Sequence, residues 1–179
     1  MTDIGTQTAE ATIAQWRSAG ETGDAQRAIE CLAADVQLVS PLTEQFRFRG
    51  RAQVGAVLAA GLGAISDIAY HTELHDPAKR TCALFYRARI GSTMLEESQL
   101  LRLDPAGLIS ELTLFVRPLP ALTALMSALG PALARQDGRP GLAVGLAAAT
   151  APLHAATAMG DRFLVPRAAP RSTAGEAVD

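Results

Sequence analysis

Three side chains able to handle a proton or a hydrogen bond fall close together in this 179-residue chain: Tyr86, Glu97 and Gln99. Glu97 and Gln99 are two apart, so on a strand they share one face. Registering the surrounding hairpins brings Tyr86 to them. With Gly91-Ser92 as a two-residue turn, Arg87 faces Glu96, Tyr86 faces Glu97 and Leu84 faces Gln99. Asp104-Pro105-Ala106-Gly107 has the residues of a type I turn. Centring that turn on Pro105-Ala106 sets Gln99 opposite Leu112 and Glu97 opposite Leu114. One face of the resulting meander carries Leu84, Ala88, Leu95, Leu101, Leu103, Leu108, Leu112, Leu114 and Val116, with Tyr86, Glu97, Gln99 and Ser110 set among them. That is how the wall of a small-molecule pocket is composed: mostly apolar, with a few placed polar groups. The opposite face includes Phe85, Arg87, Met94, Glu96, Leu100, Ile109, Glu111 and Phe115. It is mixed, and it suits a homodimer surface.

Glu97 is the catalytic candidate. Between Leu95, Leu101 and Leu114 its charged form is poorly solvated, which raises the pKa and suits a general acid or base near neutrality. The same carboxyl can instead serve only as a hydrogen-bond partner of Tyr86, because buried polar groups are normally paired. One β-bulge would also carry it to the outside. His71 and His75 are four apart, which on a regular strand means one face and about 13 Å of separation, too far for a shared ion. They read as solvated strand histidines, and neither a metal nor a bound cofactor is expected. Arg47, Arg49 and Arg51 alternate, so they form either an anion clamp or the charged rim of an edge strand.

Composition narrows the classes. The net charge is -2, which argues against a nucleic-acid binder. Hydrophobic residues make up 49% of the chain and aromatics 4%, so a core built from Ala and Leu is affordable and a disordered chain is excluded. Cys31 and Cys82 make neither a disulfide framework nor a metal cluster, and the first ten residues do not form a secretory leader. The expectation is a reduced, cytoplasmic protein. Gly141 to Gly160 is uncharged and long enough to cross a bilayer. Its Ala/Gly content, Pro152 and His154 make it read as a packing helix rather than a membrane span.

These residues need elements to place them. Helices are expected over Thr8–Ala19, over Ala25–Leu32 behind an Asp24 cap, and over Ala52–Leu62. Short strands fall at Val36–Ser40 and Phe46–Arg49. Period-two strands follow at Ile68–Leu74, Cys82–Ile90, Met94–Leu103 and Leu108–Val116. Helices return at Ala121–Ala134, with a Leu119, Leu122, Leu125, Met126, Leu129, Leu133 stripe, and again in the Ala-rich segment. The class is α+β: a curved antiparallel sheet packed against three N-terminal helices, plus a C-terminal helical extension. The expected division is a domain over 1–134, an Ala-rich helical extension over 135–164 and a disordered tail over 165–179.

The residues Trp16, Gly23-Asp24, Leu32-Ala33-Ala34-Asp35-Val36, Ser40-Pro41, Phe48-Arg49-Gly50-Arg51 and Leu103 to Ile109 resemble the nuclear transport factor 2-like superfamily, the ketosteroid isomerase and SnoaL-like group. The resemblance covers about residues 8 to 130. It implies a cone open at one end, often dimeric through the outer sheet face. In the isomerase branch it implies a carboxylate base after the first short strand, a Tyr on the first helix and a protonated Asp on the penultimate strand. Those positions match Ser40, Trp16 and Gln99 here, and none is the family residue. The acidic residue and His pair of the polyketide-cyclase branch is not evident either. The resemblance therefore implies a cone pocket with an altered lining: Trp16, Ser40, Tyr86, Gln99, Leu112, Leu114 and Val116 around a small apolar molecule. The expected function is an acid–base isomerase, cyclase or hydrolase using Glu97, with Gln99 and Trp16 as donors. The alternative is a non-catalytic ligand-binding or dimeric interaction module.

Overall fold

A computed structural model of the chain describes residues 4–170. Helix α1 (Ile4–Thr22) buries Ile13, Trp16 and Ala19, three apart on one face. Asp24 caps α2 (Ala25–Glu30), its side chain accepting from the Arg27 N–H at 3.0 Å. The helix stops short of the expected Leu32, because the chain passes directly into β1 (Leu32–Val39). A two-residue β2 (Phe48–Arg49) leads into α3 (Gly50–Leu62). Four long strands follow: β3 (Ser66–Asp76), β4 (Thr81–Ile90), β5 (Thr93–Leu103) and β6 (Ile109–Arg117).

The fold is α+β, a curved, open six-stranded sheet in the order β2-β1-β6-β5-β4-β3 with the helices packed on it. It is mixed rather than wholly antiparallel, since β1 runs parallel to β6. Periodicity shows which residues form strands but not that distant β1 docks beside β6. The β4–β5 register is the one expected, with Tyr86 opposite Glu97 and Leu84 opposite Gln99, and Gly91 takes the positive φ of +56° that the tight turn needs. The β5–β6 register is displaced by two residues. Leu103 pairs with Ile109, a bulge follows, and Gln99 therefore faces Leu114 rather than Leu112. Two single-residue offsets restore the parity of Leu112, Leu114 and Val116. Ile109 is flipped from the expected outer face into the core, where it is fully buried.

After β6, helix α4 (Leu119–Gln136) returns over the sheet, burying Ala121, Ala124, Leu125 and Leu129. It packs along α5 (Pro140–Met159), to which it is tied by Thr123 Oγ1, 2.7 Å from Thr157 Oγ1 and 3.3 Å from His154 Nδ1. A π turn (Gly160–Leu164) and a short α6 (Val165–Ala168) extend α5, so the segment read as a tail begins helically; its last nine residues lie outside the described ones. The stretch Pro140–Ala168 is long and apolar enough to cross a membrane, with 11% of its most apolar window buried. Leu142, Val144, Leu153, Met159 and Phe163 are exposed along it.

Candidate functional site

The curved sheet, α1, α3 and α4 line a cavity of about 70 Å³. Its walls are aliphatic: Leu38 from β1, Val57, Leu58 and Leu62 from α3, Ile65 and Ile68 around the start of β3, Leu114 from β6, and Leu125 and Leu129 from α4. Into these walls are set Trp16, Ser40, Tyr70, Tyr86, Glu97 and Gln99.

The polar groups form one network. Trp16 Nε1 donates to Gln99 Oε1 at 2.9 Å, and the Tyr70 hydroxyl donates to the same oxygen at 3.3 Å. Gln99 Nε2 donates to Glu97 Oε1 at 2.9 Å, and Tyr86 also hydrogen-bonds the Glu97 carboxyl. Tyr70 and Tyr86 meet edge-on, ring centroids 5.2 Å apart. Glu97 is 3% exposed. Loss of hydration raises its pKa from the ordinary 4.5 to about 7, against the opposing hydrogen bonds from Gln99 and Tyr86. Burial also raises both tyrosines, with the Glu97 charge acting in the same direction. The carboxyl can thus hold or release a proton near neutrality while the phenols stay protonated.

Of the residues expected to line the site, Trp16, Ser40, Tyr86, Glu97, Gln99 and Leu114 do so. Leu112 is fully buried in the main core instead, and Val116 packs with Tyr86, Ala88, Leu95 and Ala121 beside the cavity. The two-residue displacement of β6 moves Leu114, not Leu112, beside Gln99. Gln99 and Trp16 are not free donors, because each is engaged in the network. Ser40 Oγ accepts from the Leu42 N–H at 3.2 Å. Tyr70 is the member that the sequence reading lacks. Carrying the register one hairpin further back would have found it, opposite Tyr86.

The remaining candidates are dispersed. Arg47 lies 3.7 Å from Glu111, and Arg51 Nε donates to the Leu32 carbonyl at 2.7 Å from the start of α3, so the arginines do not assemble a clamp. Arg87 stands opposite Glu96, but Glu96 pairs with Arg117 and with His71, the latter at 3.5 Å. His71 and His75 do not share a face. A bulge between Tyr70 and Thr72 turns His71 toward Glu96 and His75 toward Cys82.

No family model matches the sequence, and no curated protein matches it significantly. Solved structures match its fold. A steroid delta-isomerase from Pseudomonas aeruginosa is 28% identical over 73% of this chain and 92% of its own, with a TM-score of 0.64. An uncharacterized bacterial protein with a cystatin-like fold from Silicibacter pomeroyi is 25% identical over 77% and 92%, with a TM-score of 0.66. SalBIII, an epoxide hydrolase/cyclase-like enzyme of pyran ring formation in salinomycin, shares the fold at 16% identity over 63% and 92%, with a TM-score of 0.53. The sheet, the helices on it and the enclosed polar network define a ketosteroid isomerase-like, SnoaL-like fold. The chain shares the fold of the nuclear transport factor 2-like superfamily.

Proposed function

We propose that the cone holds a small apolar molecule and that Glu97 moves a proton to or from it. The observation that carries this reading is a wholly enclosed carboxyl, titrating at about 7, in the wall of an otherwise aliphatic cavity. At neutral pH both its forms are populated, and the ionised form is held by Gln99 and Tyr86. That suits acid–base isomerisation, cyclisation or hydrolysis. The likeness to a steroid delta-isomerase supports the class of chemistry. Ser40, Trp16 and Gln99, at the positions where the isomerase branch carries its acidic groups, direct it to a different group, Glu97. Leu125 and Leu129 of α4 form the part of the cavity wall contributed by the C-terminal helices.

The second reading is a non-catalytic binding or dimeric interaction module. The closure of the network favours it: Gln99 uses its amide on Glu97 and its carbonyl on Trp16 and Tyr70. Under either reading we place the protein in the reducing cytoplasm, consistent with two free buried cysteines, as a homodimer through the outer sheet face, where Met94 and Phe115 are more than half exposed.

The test is a panel of neutral single-ring and fused-ring ketones, with two readouts. Thermal stabilisation reports binding. Deuterium uptake beside the carbonyl in heavy water, followed by NMR, reports proton transfer. Binding with uptake that Glu97→Gln abolishes, at retained affinity, supports the enzyme. Binding without uptake in the wild-type protein supports the module. Absence of any stabilisation overturns the apolar pocket.

A further inference from the structure

A second set of chemical groups lies outside the cone. Glu73 and His75 are two apart on β3, and Cys82 stands directly opposite His75 on β4. The carboxylate, the imidazole and the thiol present donor atoms all within 4.8 Å of one another. Cys82 Sγ is 4.0 Å from His75 Nε2, which also contacts Glu73 Oε1. The β3 bulge produces this arrangement: without it, the inward parity of Tyr70 would leave His75 on the outer face. Arg17 Nη1 bonds the second Glu73 oxygen, Oε2, at 2.8 Å and fixes the direction of the carboxylate. Glu73 and His75 line a groove of about 680 Å³, distinct from the cone, between α1, the β3–β4 turn and the β5–β6 turn, and Cys82 is buried beside them.

We propose that Glu73, His75 and Cys82 bind a divalent cation of the borderline-soft type, zinc above all. A thiolate, an imidazole and a carboxylate are the donors zinc takes, and two anionic ligands neutralise its charge. Around a tetrahedral ion, bonds of 2.0–2.3 Å set such donors about 3.3–3.6 Å apart. Reaching that needs a small inward shift of Cys82 and a small separation of Glu73 from His75. Binding releases the Cys82 thiol proton to solvent. The fourth position faces the groove, where water or an anionic group of an incoming molecule completes the shell. Arg17, already on Glu73, faces the same groove.

The experiment titrates the reduced full-length protein with Co²⁺ alone, then displaces it with Zn²⁺. The expected result is one Co²⁺ per chain with a thiolate-to-cobalt charge-transfer band, removed by Zn²⁺. Cys82→Ser eliminates the band, and His75→Ala weakens binding about tenfold or more. Cys31, whose thiol points at the Thr12 and Arg27 carbonyls, contributes nothing, so Cys31→Ser keeps the band. Circular dichroism confirms that each variant is folded. Should Cys82→Ser not fold, exposed His75→Ala still decides. A wild-type protein without the band, a band that survives Cys82→Ser, or unchanged affinity in His75→Ala overturns the proposal.

Discussion

Replacing Glu97 by Gln should change how stability depends on pH, by an amount set by the site. In the unfolded chain the carboxyl titrates near its ordinary 4.5, and in the folded protein at about 7. The folded state therefore binds the proton more tightly. Glu97 imposes no electrostatic cost below about pH 4.5, and stability is lost progressively as pH rises toward and through 7. At 1.36 kcal/mol per pKa unit, the loss amounts to about 3 kcal/mol. For a protein of this size that is roughly 6–12 °C in melting temperature. Glutamine keeps the shape and an acceptor oxygen for Tyr86 and Gln99 but carries no titrating proton. Urea unfolding or calorimetry on both proteins from pH 4 to 8 measures the effect, and the difference between them removes the contributions of every other titrating group. Wild type should lose about 3 kcal/mol more than Glu97→Gln across that range. Parallel curves would refute the reasoning, since a carboxyl with an ordinary pKa in the fold produces no such difference.

Other perturbations test the surroundings. A methyl group at Gly20 would meet the Tyr70 hydroxyl at 2.8 Å, so Gly20→Ala should cost about 1–3 kcal/mol despite the helix preference for Ala, and most of that cost should disappear in a Tyr70→Phe background. Calorimetry of the single and double variants decides it. Trp16→Phe removes the stronger of the two donors to Gln99 Oε1 in a buried position, and should destabilise by about 1–3 kcal/mol in denaturant titration. If the outer sheet face joins two copies, Phe115→Glu, at a residue 57% exposed in the single chain, should convert a dimer to a monomer in light scattering without changing the melting transition of the isolated fold.

The β4–β5 half of the site was legible because a two-residue turn leaves little freedom in register and the side-chain period is two. Tyr86, Glu97 and Gln99 consequently meet as read. The β5–β6 half was displaced because a turn's residue types mark where the chain reverses but not whether a bulge follows; Leu114 stands where Leu112 was expected for that reason, and Leu112 lies opposite Leu101. The same blindness to bulges separated His71 from His75 and hid the approach of His75 to Cys82. The amphipathic stripe of α4 announced a helix with one buried side. Nothing local told whether that side would meet the sheet, a second chain or solvent, and it forms the cavity wall through Leu125 and Leu129. The parallel pairing of β1 with β6 is likewise non-local, joining residues some seventy positions apart.

The central claim is that the cone contains a carboxyl poised to exchange a proton near neutrality. Its most direct test is a ¹³C NMR titration of the Glu97 side-chain carboxyl in the folded protein, assigned through Glu97→Gln. The account predicts a midpoint at about 7. A midpoint near the ordinary 4.5 would contradict it and leave the network as a structural device alone.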